Sequence, residues 1–238
     1  MRFGIQAALG LTLLAALSAA GFARAEDAPK VDAAPPCDVP AYLLNSESAL
    51  PKVADAVKNG RPLTILVVGS RSSTIASSES SAYPAQLQAA LKEKLPQVPV
   101  TLSVELQTSK TAEEVDTSLV KLLETKKPTL VIWQTGTVDA MRSIDPDDFR
   151  SAVDEGVAAL QKAGADVVLV NLQYSPRTET MISAPPYLDN MRVVAQQHEV
   201  PLFDRFAIMH HWNDHYWLGG RGKTTDQHNS YYYWSRQS

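Results

Sequence analysis

Residues 63–74 read LTILVVGSRSST. Aliphatic and β-branched side chains fill the first six positions, which predicts a fully buried β-strand. Gly69 and the small hydroxyl residues after it predict a sharp turn at the carboxyl end of that strand. Ligands of open α/β sheets bind at this edge, so a serine here would face a crevice beside N–H groups that can stabilise an oxyanion. The stretch favours a nucleophilic serine, with a plain solvated turn as the alternative.

Strand and helix patterns alternate along the rest of the chain. Helical patterns that include 41–59, 83–95, 146–163 and 186–198 separate strands predicted at 63–68, 98–106, 129–133, 166–172 and 200–203. Another helix is predicted to begin at Thr111, because Thr111 and Glu114 have the spacing of a capping box. Repeated βαβ units predict an α/β protein whose central parallel sheet carries helices on both faces.

The first 25 residues have the composition of a secretory signal peptide. A basic start at Arg2 precedes an apolar stretch at 7–20 and an Ala-x-Ala site at 23–25. Because that stretch is short for a membrane span, we expect cleavage after Ala25, a periplasmic or secreted location and no membrane anchor afterwards. Residues 26–40, rich in Ala, Pro and Asp, predict a flexible linker, and residues 41–238 a single domain.

Charge and cysteine content narrow the choice of partners. Removing the leader would take away two of the 22 basic residues and none of the 26 acidic ones, which leaves a formal charge of −6. Such a surface argues against nucleic acid or anionic membrane as the main partner. Cys37 is the single cysteine, so no internal disulfide can form.

Two further polar loops follow predicted strands, at 107–110 and 134–139. Because parallel strands end at the same edge of a sheet, we expect these loops to share one crevice with the turn after Gly69. A serine nucleophile also needs a base, and His228 has an acid, Asp226, close in sequence. Such an aspartate would fix the histidine tautomer and stabilise the imidazolium. A solvated polar tail is the alternative interpretation of this pair.

A second histidine pattern suggests a different chemistry. His211 and His215 are four residues apart, which on a helix would place both on one face, as in zinc sites. The glutamate of the metalloprotease pattern is missing, because Trp212 follows His211 directly. A crevice-lining or surface segment is therefore the favoured interpretation.

Several segments together resemble the SGNH, or GDSL-type, hydrolases. They are the strand ending in Gly-Ser-x-Ser-Ser-Thr, the helix that begins at Tyr83-Pro84, the blocks IWQTGT at 132–137 and NLQYSP at 171–176, and the terminal Asp/His pair. The similarity covers the chain from about Leu63 onward. It implies a three-layer flavodoxin-like α/β/α sandwich and a Ser-His-Asp mechanism of ester hydrolysis or acyl transfer, with no metal or other cofactor.

The resemblance also implies a set of site residues. The nucleophile falls on Ser72, with Ser70 as the competing choice, while His228 would be the base and Asp226 its partner. The residues expected to bind the oxyanion and the substrate are Gly136, Thr137, Ser109 and Arg71.

Three positions depart from the family pattern. Val138 stands where the family has an asparagine, no glycine occurs among residues 108–110, and Asp226 and His228 are one residue closer than usual. We expect an exported SGNH-like serine esterase or acyltransferase acting on O-acyl groups, such as acetyl groups of a polysaccharide. Because two oxyanion donors are altered, the alternative is a catalytically impaired domain that binds glycans or a protein partner.

Overall fold

The computed structural model describes residues 38–46, 48–73 and 82–214, all within the compact unit Cys37–Ser238. Five strands alternate with helices along the chain. The strands are β1 (Leu63–Gly69), β2 (Val100–Leu106), β3 (Leu130–Gln134), β4 (Asp166–Val170) and β5 (Leu202–Phe203). The helices are α1 (Pro51–Lys58), α2 (Tyr83–Lys94), α3 (Ala112–Lys126), α4 (Thr137–Met141), α5 (Pro146–Lys162), α6 (Pro176–Met181), α7 (Pro185–Gln197) and α8 (Arg205–Trp212).

The five strands form one parallel sheet in the order β2-β1-β3-β4-β5. This is the flavodoxin-like order, in which the chain reverses its direction of winding next to β1. The register pairs Gly69 with Leu106 and Val68 with Trp133, so β2, β1 and β3 end side by side. The predicted three-layer sandwich with a central parallel sheet is therefore confirmed.

Side chains on both faces of β1 are buried, as the continuous apolar pattern predicts. Leu66 and Val68 point into a large core cluster that also contains Leu160 of α5 and Met191 of α7. Their neighbours along the strand, such as Ile65, join a smaller cluster on the opposite face, against which α1 and α2 pack. Alternation with a period of two residues explains how one strand supplies both cores.

Local signals fix several helix ends. The Thr111 side chain accepts a hydrogen bond from the Glu114 N–H, and the Glu114 carboxylate accepts one from the Thr111 N–H, which confirms the predicted capping box. Asp145 caps α5 by accepting from the Asp147 N–H, directly before Pro146 at the first helical position.

Some predicted elements have different bounds. The helical pattern at 41–59 gives a 3₁₀ turn at Ala41–Leu43 and a helix that begins only at Pro51, because proline fits the first turn of a helix and not its interior. Helix α4 begins within the loop predicted at 134–139, and α6 lies in a segment for which no helix is predicted. Both are shorter than two turns, so neither has enough residues to show helical periodicity.

Residues 1–37 lie outside the described part of the chain, and with them the predicted signal peptide and most of the predicted linker. Among the described helices, none combines the length and the apolar character needed to cross a membrane.

Candidate active site

Three loops meet at the carboxyl edge of the sheet, as their positions in the sequence predict. They follow β2, β1 and β3, which are neighbours in the sheet. The Gln107 N–H donates to the Gly69 carbonyl at 2.7 Å, which ties the loop after β2 to the end of β1. The candidate nucleophilic serines follow β1, Ser109 follows β2 and Gly136 follows β3. They thus belong to adjacent loops at one edge of the sheet.

The turn after β1 is a single 3₁₀ turn over Arg71–Ser73. It closes with a hydrogen bond from the Ser73 N–H to the Ser70 carbonyl at 2.9 Å. Ser70 is half-buried and Arg71 is exposed, whereas Ser73 is fully buried. The side chain of Ser72, the serine preferred from the sequence, lies outside what the structure describes.

Gly69 has to be a glycine for this turn to close. A Cβ at this position would lie 2.3 Å from Ser73 Oγ and 3.5 Å from Gln134 Oε1. The first distance is far below van der Waals contact, so any side chain here would push Ser73 away. The glycine therefore allows the serine turn to fold back over the end of β1.

Gln134, the last residue of β3, bridges two of the serines. Its Oε1 accepts from the Ser73 hydroxyl at 2.9 Å, and its Nε2 donates to Ser70 Oγ at 3.0 Å. Sequence reasoning placed Gln134 in a polar loop and assigned it no role. The available signal was a glutamine directly after four residues of a buried strand, where a polar side chain needs hydrogen-bond partners.

Ser109 occupies the backbone conformation that favours glycine. Its φ is 61°, in the left-handed region. Its carbonyl accepts from Arg142 Nη2 at 2.7 Å, while its N–H donates to no backbone carbonyl among the described residues. The structure thus places a left-handed residue in the loop where the family pattern expects a glycine.

Gly136 and Thr137 shape the loop after β3. Gly136 has a φ of 94°, and a Cβ on it would lie 2.6 Å from Leu172 Cδ1. Thr137 Oγ1 accepts from the Gln173 N–H at 3.3 Å, which links this loop to the segment after β4. Val138, the next residue, is half-buried and offers no side-chain donor.

Asp139, in α4, ties that helix to the start of α3. The residue is 1% exposed, and its carboxylate accepts a hydrogen bond from the Ala112 N–H at 2.8 Å. Burial raises the pKa of Asp139, while the N–H groups of Ala112, Asp139 itself and Gly136 act in the opposite direction. Burial is the largest of these influences on the pKa.

Tyr83 lies near the buried Ser73, and Arg205 lies near Tyr83. Burial raises the pKa of Tyr83, and the nearby Ser73 hydroxyl and Arg205 guanidinium oppose that shift. Burial lowers the pKa of Arg205 to about 10, with a smaller opposing effect from Tyr83. Tyr83 carries part of the family resemblance, whereas the sequence offers no signal for Arg205.

The predicted base and its acid, His228 and Asp226, lie outside the described residues. So does His215 of the histidine pattern, whereas His211 lies in α8. His210 Nδ1 is 3.0 Å from Asp214 Oδ2, at the end of that helix. Across the described residues, no group of three or more His, Cys, Asp or Glu side chains could hold a metal ion.

Comparison with known proteins identifies the family and the fold. Residues 36–222 match the model of the Non-GDSL lipase-like family. Comparison with curated protein sequences finds no match. The family model confirms the resemblance to the SGNH/GDSL-type hydrolases, and the solved structures below share the fold.

Solved structures with the same fold include TesA and two esterases. TesA is 24% identical, with a TM-score of 0.51 over 58% of this chain and 76% of its own. AlinE4, described as an SGNH-hydrolase family esterase, is 16% identical, with a TM-score of 0.54 over 73% and 91%. CEX, a two-domain esterase active on acetylated mannans, is 19% identical, with a TM-score of 0.55 over 66% and 42%.

Proposed function

Because the chain belongs to the Non-GDSL lipase-like family, we propose that it is a carboxylic ester hydrolase whose nucleophile is Ser70. The observation that carries this proposal is the placement of the Ser70 hydroxyl. It lies directly after the buried strand β1 and accepts a hydrogen bond from Gln134 Nε2 at 3.0 Å. Because Oγ accepts this bond, its own O–H proton points away from Gln134.

Ser70 suits the role of nucleophile better than Ser73. Ser73 is fully buried, and its hydroxyl donates its proton to Gln134 Oε1. Ser70 is half-buried, which gives a substrate access to it. Ser72 stays the alternative nucleophile, since the family pattern favours it.

In the reaction, Ser70 Oγ attacks the ester carbonyl carbon while its proton passes to the imidazole of His228, which Asp226 orients. The carbonyl oxygen becomes an oxyanion, and the Ser109 N–H donates a hydrogen bond to it. When the intermediate collapses, the C–O bond to the alcohol breaks and the alcohol takes the proton from His228. Water then attacks the acyl-serine by the same steps, which releases the acid and regenerates Ser70.

An O-acetyl carbohydrate is the proposed substrate, and the exported compartment the proposed location. The support is the likeness to CEX, a structure described as active on acetylated mannans, and the leader pattern at residues 1–25. Release of acetate from acetylated mannan, compared with a p-nitrophenyl ester of the same acid, tests the substrate. The intact mass of protein recovered from the periplasm or medium identifies its first residue and so tests the location. The expected first residue is Glu26.

The main experiment measures hydrolysis of p-nitrophenyl acetate and labelling by a fluorophosphonate. We expect the wild type to be active and labelled, and Ser70→Ala and His228→Ala to lose both. Ser118→Ala is the control, because the Ser118 hydroxyl donates to the Val115 carbonyl inside α3. Loss in Ser72→Ala instead would move the nucleophile to that residue.

An inactive, unlabelled wild type would favour the second candidate function, an impaired domain that binds its ligand without cleaving it. The observation behind this candidate is Val138, which leaves the loop after β3 without a side-chain amide donor. Binding of acetylated mannan by the wild type, lost in Arg71→Ala, would then support a binding role.

A further inference from the structure

We propose that Gln134 and Ser73 are positioning residues that hold the Ser70 hydroxyl in its attacking orientation. This inference rests on the proposed function, because it assigns a role relative to Ser70 as the nucleophile. It names two residues that act through Ser70 and do not touch the substrate.

The geometry is a chain of two hydrogen bonds that runs from Ser73 through Gln134 and ends at Ser70. The Ser73 hydroxyl donates to Gln134 Oε1 at 2.9 Å, and Gln134 Nε2 donates to Ser70 Oγ at 3.0 Å. A side-chain amide is planar, so fixing its oxygen also fixes the direction of its N–H bonds. Ser73 therefore determines which end of the Gln134 amide faces Ser70.

Burial makes this arrangement difficult to replace. Gln134 is 7% exposed and Ser73 is 0% exposed, so their polar atoms have little access to solvent. Buried polar groups that lose their partners are strongly destabilised, so the amide has little freedom to rotate away. Gly69 provides the space, because a Cβ there would overlap Ser73 Oγ.

The consequence for Ser70 is a restrained side-chain rotamer. One lone pair of Oγ accepts the Gln134 N–H, so the O–H bond points away from Gln134. A nucleophile that is oriented before the substrate arrives requires less reorganisation in the transition state. Loss of the arrangement should thus lower kcat more than it changes KM.

The experiment compares three variants with the wild type in p-nitrophenyl acetate hydrolysis across pH. Gln134→Met keeps the length of the side chain and removes both hydrogen bonds, and Ser73→Ala removes the donor to Oε1. Gln134→Glu keeps the shape and changes one group: its ionised form accepts from both serines, whereas its protonated form can still donate to Ser70. Gln161→Met is the matched control, since Gln161 bonds the His198 carbonyl on the opposite edge of the sheet.

We expect kcat to fall about tenfold or more in Gln134→Met and Ser73→Ala, with KM nearly unchanged, because a misplaced reacting atom can cost up to about a hundredfold. Burial raises a carboxyl pKa above its ordinary value. The activity of Gln134→Glu relative to wild type should therefore fall as the pH rises through that pKa. Dividing the variant's activity by the wild-type activity at each pH cancels the pH dependence that both proteins owe to the titration of the catalytic base.

The outcomes separate the inference from the proposed function. A wild type that is active, loses activity in Ser70→Ala and keeps full kcat in Gln134→Met overturns the positioning role alone. A ratio of Gln134→Glu activity to wild-type activity that does not change with pH also overturns the positioning role. Because Gln134→Glu is isosteric with the wild type, this variant also controls for misfolding. A wild type without activity or labelling, or an active Ser70→Ala variant, overturns the choice of Ser70 as nucleophile, and the inference with it.

Discussion

At the scale of single residues, the candidate site depends on a few backbone conformations and polar contacts. Ser109 adopts a left-handed conformation, and Gly69 leaves room for Ser73 where any Cβ would collide. Gln134 connects the ends of β1 and β3 through the serines. Each of these features can be tested by one substitution.

Ser109→Gly should stabilise the protein. A non-glycine residue in the left-handed region costs about 1–2 kcal/mol. Glycine also increases the conformational entropy of the unfolded chain, which offsets about 0.4–1 kcal/mol of the gain from removing that cost. The net gain in the free energy of unfolding should be about 0.5 kcal/mol, measured by urea denaturation. Thr108→Gly is the control: its φ is not positive, so that variant should be less stable than the wild type.

Val138→Asn should raise the esterase activity if the proposed function holds. Removing one oxyanion donor costs about 100- to 1,000-fold in rate in other enzymes, so supplying one in approximate geometry should raise kcat about tenfold. Initial rates on p-nitrophenyl acetate measure the effect. Val138→Leu controls for packing and should leave kcat unchanged, and an equal gain in both variants would contradict the donor explanation.

At the scale of elements, short helices and loops hold the edge of the sheet together. Helix α4 is tied to the start of α3 by the bond from the Ala112 N–H to Asp139 Oδ1. Arg142, directly after α4, donates to the Ser109 carbonyl in the loop after β2. The loop after β3 is tied to the segment after β4 through Thr137. The orientation of α4 is set by Gly136, the residue before it.

Gly136→Ala should destabilise the protein by about 3 kcal/mol, the sum of left-handed backbone strain and overpacking. The overpacking arises because the new Cβ would lie 2.6 Å from Leu172 Cδ1 and 3.2 Å from Phe149 Cζ. Gly164→Ala is the matched control, since Gly164 has a φ of 86° and nothing within 4 Å of its Cβ position. Thermal or urea unfolding should show the smaller loss for Gly164→Ala, and equal losses would refute the steric contribution.

Asp139→Asn should change how stability depends on pH. The folded pKa of Asp139 is raised by burial, so the stability that its protonation contributes is fully present below the unfolded pKa and is lost as the pH rises through the folded pKa. Asparagine does not titrate. The stability of Asp139→Asn relative to wild type should therefore increase between about pH 4 and neutral pH, and urea unfolding at several pH values measures it. A constant difference would contradict a raised pKa.

At the scale of the whole molecule, the two faces of the sheet contribute unequally to the core. The larger cluster lies between the sheet and α3, α5 and α7, and the smaller one between the sheet and α1 and α2. Leu160 in the larger cluster is 0% exposed, whereas Leu91 in α2 is only partly buried against the smaller one.

Leu160→Ala should therefore cost about 2–5 kcal/mol of unfolding free energy and Leu91→Ala about 1–2 kcal/mol, because a cavity forms only where the side chain is fully enclosed. Urea denaturation of both variants measures the difference. Equal losses would show that the face covered by α2 is as tightly packed as the other.

The sequence by itself determined the fold. Apolar runs such as residues 63–68, the Thr111–Glu114 capping box and the Asp145-Pro146 helix start are local signals, and each acts within a few residues of its position. Alternation of strands and helices then leaves few topologies, because parallel strands need a crossover connection. The same segments indicated the family, because each motif block is a run of consecutive residues.

Only the tertiary structure decided how the site is arranged at the edge of the sheet. Gln134 and Ser73 are 61 residues apart in sequence, and their hydrogen bond depends on the register of β1 against β3. The carbonyl of Ser109, which has a left-handed conformation, accepts a hydrogen bond from Arg142, 33 residues further along the chain. No local pattern encodes such contacts, because register and loop packing are set by the buried faces of the sheet and not by the residues that finally touch.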